Sequence, residues 1–242
     1  MTDLSPRQLK LLKIIIEEHI KTGQAVGSET LDKKYNLGVS PATIRNEMVT
    51  LTKKGMLVQP HTSAGRIPTN VALKFYIQQL MQERQLSVAD EVSVKEKVWD
   101  NRHQLDKLLS EATKILADRT QALALSTTDK GDLYHSGYAH ILDLPEFFDI
   151  DVTKAVLSMI EDINSVNQIF DKAVGDDPVH ILVGKDLGME LLSPCGMVFA
   201  DFTSPKISGS IGVIGPSRLD YPWVIPMVRY FGSLISEVLK NW

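Results

Sequence analysis

The sequence predicts an α+β fold class, with a helical N-terminal domain, a helical linker and a C-terminal domain that mixes strands and helices. Closely spaced helical patterns fill the first 75 residues and end in a short strand and a polar loop. From residue 119 onward, strand and helix patterns alternate, as expected for helices around an antiparallel sheet. The charge also changes sign: residues 1–75 hold 11 Lys/Arg and 6 Asp/Glu, whereas residues 76–242 hold 15 and 24.

Composition narrows the class of protein further. The 242 residues suffice for one large or two modest domains. An uninterrupted apolar run of about 18 residues is lacking, so we expect no membrane span. The N-terminus lacks a basic-then-apolar signal pattern, and Cys195 is the single cysteine. Both features predict a protein of the reducing cytoplasm.

The first two predicted helices are short and amphipathic. Ser5 and Pro6 are typical of a helix start, and Thr22-Gly23 of its end. Ser28 is predicted to cap a second helix over residues 28–35, and residues 36–39 form a glycine-containing turn into a third. Two helices joined by such a turn indicate a helix-turn-helix.

The third helix is predicted to begin with Ser40 as N-cap and Pro41 at the first helical position. Ile44, Met48 and Leu51 fall at i, i+4 and i+7 and form one apolar stripe. A glycine at residue 55 ends the pattern, as is usual after a helix. The opposite face is small, polar and basic, which suits a helix that enters a DNA groove.

A short strand over residues 56–58 and a polar loop over residues 59–68 follow the third helix. Helix, strand and polar loop in this order predict a winged helix-turn-helix domain over residues 1–81. A small three-helix bundle without a nucleic-acid role remains the alternative. The basic charge of this region on an acidic chain favours DNA as the partner.

The candidate DNA contacts are residues predicted to be exposed on the third helix or in the polar loop that follows it. They are Ser40, Ala42, Thr43, Arg45, Asn46, Val49, Lys53, His61, Thr62, Ser63 and Arg66. Asn46 suits an adenine edge, and Arg45 suits a guanine or a phosphate. Arg66 suits a phosphate or a narrow minor groove. Two alternatives stay open: Arg45 pairs with Glu29 or Asp32, or Asn46 simply faces solvent.

Three stretches between residues 9 and 81 resemble the N-terminal part of the HrcA family of heat-inducible repressors. They read PATIRNEM, LVQPHTSAGRIP and KFYIQQLM. Residues 69–73 depart from the family pattern, which usually has Gly-Tyr-Arg there. SGYAHILDLPEF and GSIGVIGPSRLDYPWVIPMVRY resemble the C-terminal part of the same family.

Residues 82–118 are predicted to form a polar linker, up to Asp90, and then one long amphipathic helix from Val94 onward. Its apolar stripe either pairs with a second copy of the chain or folds back on the next domain, and pairing is favoured. A dimer matters because a two-fold protein reads an inverted repeat with two recognition helices.

Residues 119–242 are predicted to form a truncated GAF-like regulatory domain. Strands are expected at residues 122–126, 179–183, 196–202 and 210–214, and helices at 152–162 and 222–239. Members of the resembled family run about a hundred residues longer and carry an inserted dimerisation subdomain. Only residues 122–136 bridge that position here, so the resemblance does not fix how a dimer forms.

The resemblance implies a repressor that binds an inverted-repeat operator of the CIRCE type in duplex DNA ahead of chaperone genes. It also implies a homodimer and assistance from the GroE chaperonin, with no cofactor, metal or catalytic residue. Two alternatives remain. One is a DNA-binding regulator of other genes that responds to a small ligand, and the other is an enzyme with Cys195 as nucleophile.

Overall fold

A computed structural model describes residues 4–172 and 177–240. The chain is mixed α and β and divides into two compact units, Met1–Gln82 and Glu83–Trp242. Each unit has its own buried apolar core. Among the described residues, no helix combines the length and apolar character needed to cross a bilayer.

Over its described residues, 4–82, the first unit contains four α-helices and a two-stranded ribbon. Its elements are α1 (Pro6–Thr22), α2 (Ser28–Tyr35), α3 (Pro41–Lys53), β1 (Leu57–Val58), β2 (Ile67–Pro68) and α4 (Asn70–Phe75), followed by a π-helical turn (Tyr76–Leu80). The predicted starts of α1 and α3 are confirmed. Helix α2 spans the predicted residues, but the predicted Ser28 cap is wrong, because the extended Gly27 is the N-cap and Ser28 is already helical. The apolar stripe of α3, formed by Ile44, Met48 and Leu51, is buried as predicted.

Local capping explains where α1 and α3 begin and end. Ser5 and Gln8 form a reciprocal capping box at the start of α1, and Gly23 ends that helix in the left-handed region with φ of 67°. The Ser40 hydroxyl accepts the Thr43 amide hydrogen at 3.2 Å. After α3, Gly55 has φ of 74°, a conformation that glycine adopts without steric cost.

The second unit is built on a five-stranded antiparallel sheet with strand order β4-β3-β7-β6-β5. The strands are β3 (Leu123–Thr128), β4 (Leu133–Ser136), β5 (Val179–Val183), β6 (Cys195–Thr203) and β7 (Ser208–Pro216). The central pair β6 and β7 runs in register from Cys195 opposite Pro216 to Thr203 opposite Ser208. The antiparallel sheet and its four predicted strands are confirmed, whereas β4 was not predicted.

Helices cover both faces of this sheet. They are α5 (Val88–Trp99), α6 (Leu105–Thr120), α7 (Tyr138–Leu142), α8 (Ile150–Glu161), α9 (Ile163–Phe170) and α10 (Tyr221–Leu239). One face carries α6 and α10, where the Thr113 and Ser126 hydroxyls share a buried hydrogen bond of 2.8 Å. The other face packs Leu125 and Phe199 against a core that includes Val156 and Ile160 of α8.

The prediction of one long helix after a linker ending at Asp90 is wrong. Helix α5 already begins at Val88, and the chain then turns before α6 begins at Leu105. The sequence explains the break. The apolar stripe of α5 should continue three or four residues after Val98, but those two positions hold Asn101 and Arg102. A polar stretch of this kind favours a turn over helix continuation.

The stripe of the two helices is buried inside the chain. Val94, Val98, Leu108, Leu109, Ala112 and Leu116 are each at most 1% exposed. The fold-back alternative is therefore the correct one, and this stripe is not free to pair with a second copy. Helix α10 likewise buries its apolar side chains within the second unit.

Two further side chains of the second unit have roles set by their surroundings. Arg218 forms a two-pronged ion pair with Glu146, at 2.6 and 3.1 Å. Cys195 is fully buried, and burial raises the pKa of its thiol to about 12, with the Glu146 charge adding to the effect. A buried thiol that stays protonated is a poor nucleophile, which argues against Cys195 as a catalytic residue.

Candidate nucleic-acid interface

The outward face of α3 presents the predicted contact residues to solvent. Ser40, Ala42, Arg45, Asn46 and Lys53 are exposed, and Thr43 and Val49 are partly exposed. The buried stripe on the opposite side fixes the rotation of the helix, so the polar face points outward as a consequence of core packing. An exposed helix face of small, polar and basic residues is the kind of surface that proteins place in a DNA major groove.

Arg45 and Asn46 are free to contact a ligand. Within the described part of the chain, the Arg45 guanidinium forms no ion pair, and the expected alternative of pairing with Glu29 or Asp32 is not present. The Asn46 side chain also makes no hydrogen bond to any described residue. Both groups therefore keep their full donor and acceptor capacity for a partner.

The one acidic residue of α3 is turned to the opposite side. Glu47 accepts a hydrogen bond from Gln8 Nε2 at 2.9 Å and pairs with Arg7, both at the start of α1. The hydrogen bond from Gln8, and then the Arg7 charge, lower the pKa of Glu47. The carboxylate is thus compensated within the protein and adds little repulsion toward an anionic partner.

The ribbon after α3 pairs Leu57 with Pro68 and Val58 with Ile67. The prediction that residues 59–68 are entirely loop is therefore wrong at its end, because Ile67–Pro68 form β2. Of the predicted loop contacts, His61, Thr62 and Ser63 are exposed at the tip. His61 Nδ1 lies 3.1 Å from Ser63 Oγ, which orders the tip without burying either group.

Arg66 stands at the base of this loop and is partly buried. Its Nη1 donates to Gln59 Oε1 at 3.0 Å, and it forms no ion pair with a described carboxylate. Gln59 in turn donates to the backbone oxygens of Thr62 and Ala64 at 2.9 and 3.0 Å. The guanidinium is held by a neutral group, so its positive charge stays available.

A short backbone bridge attaches the loop to the segment before α2. The amide of each of Val26 and Arg66 donates to the carbonyl of the other, both at 2.9 Å. A Cβ on Gly65 would lie 2.4 Å from the Val26 carbonyl carbon and oxygen. Gly65 therefore leaves no room for a side chain, because its backbone lies directly against Val26.

A groove of about 480 Å³ lies between the start of α2, the outer face of α3 and the loop. The predicted residues Arg45, Val49, Thr62, Ser63 and Arg66 line it. Gln59 and residues 27–30 also line it and are not among the predicted contacts. The first amides of α2 lack intrahelical partners, and Gly27 provides no side-chain cap. Ser28 following a glycine was the sequence signal for this helix start.

The groove is suited to bind an anion. Two guanidinium groups, hydroxyls and free amides converge there, with the exposed Glu29 at its rim. Among residues 4–172 and 177–240, no cluster of three His, Cys, Asp or Glu side chains could hold a metal ion. The arrangement therefore favours phosphate and base contacts.

Comparisons with known proteins agree over most of the chain. A protein from Symbiobacterium thermophilum named "Heat-inducible transcription repressor HrcA" is 28% identical over 336 aligned positions, which cover 97% of this chain and 98% of the relative. One of the same name from Clostridioides difficile is 26% identical, with 97% and 99% covered. The alignment with the Symbiobacterium thermophilum relative is 94 positions longer than the 242 residues of this chain. The chain is therefore shorter than that relative, as expected.

A solved structure and a family model complete the comparison. The structure described as "Crystal structure of a hypothetical protein at 2.2 A resolution" aligns with a TM-score of 0.76 at 18% identity, with 98% of each chain covered, and shows a similar fold. The family model "HrcA protein C terminal domain" matches residues 44–225. This match includes most of α3, the loop and the second unit up to the start of α10, and the chain therefore belongs to the HrcA family.

Proposed function

We propose that this protein is a heat-inducible transcription repressor that binds an inverted-repeat operator of the CIRCE type ahead of chaperone genes. Residues 1–81 serve as a winged helix-turn-helix domain, in which α3 enters the major groove and the loop over residues 59–66 is the wing. The repressor name of the relatives and the family membership of the chain support this function.

One observation carries the proposal: Arg45 and Asn46 lie unpaired on an exposed helix face, next to a groove that also holds the uncompensated Arg66. Arg45 and Asn46 are proposed to read base edges, with Ala42 and Val49 in apolar contact with thymine methyl groups. Ser40, Thr43, Lys53, His61, Thr62, Ser63 and Arg66 are proposed to contact phosphates.

The proposed active form is a cytoplasmic homodimer, because an inverted repeat requires two recognition helices about 34 Å apart or a multiple of that distance. Residues 119–242 serve as a trimmed GAF-like regulatory domain, preceded by the helical segment of residues 82–118. Since the apolar stripes of α5, α6 and α10 are buried, the dimer must use other surfaces of the chain.

Heat control is proposed to follow from assistance by the GroE chaperonin. When unfolded proteins occupy the chaperonin, less repressor reaches its active fold, and the chaperone genes are released. Native domains of marginal stability make such control physically feasible. No catalytic step, metal or cofactor belongs to this function.

The test is fluorescence anisotropy with a labelled duplex that carries the inverted repeat and with a scrambled duplex of equal length and composition. The proposal predicts binding of the repeat at least tenfold tighter than binding of the scrambled duplex, a minimal threshold beside the ratio of about 10³ or more that is typical of specific DNA-binding proteins. Equal affinity for the two duplexes contradicts operator recognition.

A further inference from the structure

The side chain of Gln59 is the centre of the loop over residues 59–66. Its Nε2 donates to the carbonyl oxygens of Thr62 at 2.9 Å and Ala64 at 3.0 Å, and its Oε1 accepts from Arg66 Nη1 at 3.0 Å. One amide at the start of the loop therefore contacts its middle and its end. Gln59 directly follows β1, and Arg66 directly precedes β2, so their hydrogen bond joins the two ends of the loop.

Only an amide satisfies these three partners at once. Two carbonyl oxygens require two N–H donors, and a guanidinium requires an acceptor, which is the combination that a glutamine side chain offers. The reversed orientation of the amide would face its NH₂ toward the arginine donor and its oxygen toward two carbonyls. A glutamate would accept from Arg66 but could donate to neither carbonyl oxygen.

The amide also leaves the charge of Arg66 intact. A carboxylate in the same place would form an ion pair and cancel much of the positive potential that a phosphate needs. The backbone of Arg66 is fixed independently by its two hydrogen bonds to Val26, both of 2.9 Å. The remaining freedom is that of the long side chain, which the Gln59 contact restricts before any ligand arrives.

We propose that Gln59 is the positioning residue for Arg66, holding its guanidinium in the groove in the direction required for a DNA backbone phosphate. This inference rests on the proposed DNA-binding function and adds to it a residue that need not touch DNA. Because a phosphate contact carries no base information, loss of Gln59 should weaken binding of operator and scrambled duplex alike.

The test is a double-mutant cycle of Gln59→Ala and Arg66→Ala, with affinities measured by fluorescence anisotropy on both duplexes. Gln59→Ala should weaken binding about three- to tenfold, as expected for a lost hydrogen bond of ordinary strength. In the Arg66→Ala background the same substitution should have an effect of less than about twofold, because its target is gone. Gln79→Ala, an exposed glutamine of the same unit, is the matched control and should bind like the unmodified protein.

Gln59→Glu and a salt titration separate positioning from simple loop stability. Gln59→Glu should weaken binding at least as much as Gln59→Ala, although it still accepts from Arg66, because it cancels the charge. The slope of log K against log salt should become shallower by about one in both Gln59→Ala and Arg66→Ala, as expected when one phosphate contact is lost. Thermal unfolding of each variant shows that the compared proteins are folded.

Three results would overturn the inference. One is an equal loss from Gln59→Ala in both backgrounds, and another is an unchanged salt slope in Gln59→Ala. Either leaves the proposed function standing if the unmodified protein still prefers the inverted repeat. The third is an unmodified protein that binds neither duplex, which removes the proposed function and this inference together.

Discussion

Lys34 Nζ lies 2.8 and 2.7 Å from the two carboxylate oxygens of Glu18, and this contact joins the last turn of α2 to α1. Glu18 is only 5% exposed and also accepts a hydrogen bond from Tyr35. The hydrogen bonds from Lys34 and then Tyr35 lower the pKa of Glu18 below its ordinary value of 4.5. The pair therefore fixes α2 against α1 within the proposed DNA-binding unit.

Stability of this unit should depend on the ionised Glu18. A carboxyl whose folded-state pKa is lowered contributes stability above its unfolded pKa, and that stability is lost as pH falls through the folded pKa. We expect Glu18→Gln to lower the melting temperature at pH 7 and to flatten its decline below pH 4.5. Thermal unfolding followed by circular dichroism from pH 7 to pH 3 measures both effects, and an unchanged pH profile contradicts this role.

Removing the cationic partner tests the same contact from the other side. Lys34→Ala leaves the buried carboxylate with Tyr35 as its remaining partner and should cost about 1–2 kcal/mol of unfolding free energy. Lys33→Ala, at the neighbouring exposed position of α2, is the matched control. Urea unfolding of the two variants should separate them, and equal stability would show that the contact contributes nothing.

Substitutions of residues proposed to read bases and of residues proposed to contact phosphates should differ in their effect on DNA binding. Arg45→Ala and Asn46→Ala should each weaken operator binding by about 1–3 kcal/mol while changing scrambled-duplex binding much less. Arg66→Ala should weaken binding to both duplexes by similar factors, because phosphates are present in each. Anisotropy titrations of the three variants at one salt concentration decide this, and equal losses for all three on both duplexes refute the division.

Gly65 should tolerate no side chain because of its contact with Val26. A Cβ at residue 65 would lie 2.4 Å from the Val26 carbonyl, whereas a Cβ at Gly27 has Thr30 Oγ1 as its nearest neighbour, at 3.8 Å. Gly65→Ala should therefore destabilise the protein by about 1–3 kcal/mol, the usual range for overpacking. Gly27→Ala is the control and should melt near the unmodified protein; equal melting of both would contradict the close contact.

The sequence was most informative where periodicity and capping act locally. Ile44, Met48 and Leu51 determine which face of α3 is buried, so the exposed face follows from the pattern alone. The break between α5 and α6 was missed because a long apolar stripe outweighed the polar residues at Asn101 and Arg102. Whether such a helix breaks depends on how each of its two segments packs against neighbouring elements.

Contacts between distant residues could not be read from the sequence. Gly65 against Val26, Gln59 across the loop and Arg218 on Glu146 depend on which segments the fold brings together. The sequence showed that these residue types were present, but their spacing gave no sign of the partner. Burial of the predicted dimer stripe was likewise decided by tertiary packing, since an amphipathic helix fits either a second copy or its own domain.

The salt dependence of duplex binding tests the central claim most directly. The exposed face of α3 and the loop beside it are proposed to hold duplex DNA mainly through phosphate contacts. With about six such contacts, log K for the inverted repeat should fall against log salt with a slope near −5. Anisotropy titrations of the unmodified protein between dilute and physiological salt measure this slope. Absence of binding to the repeat and to bulk duplex in dilute buffer, even after refolding with chaperonin, would contradict the account.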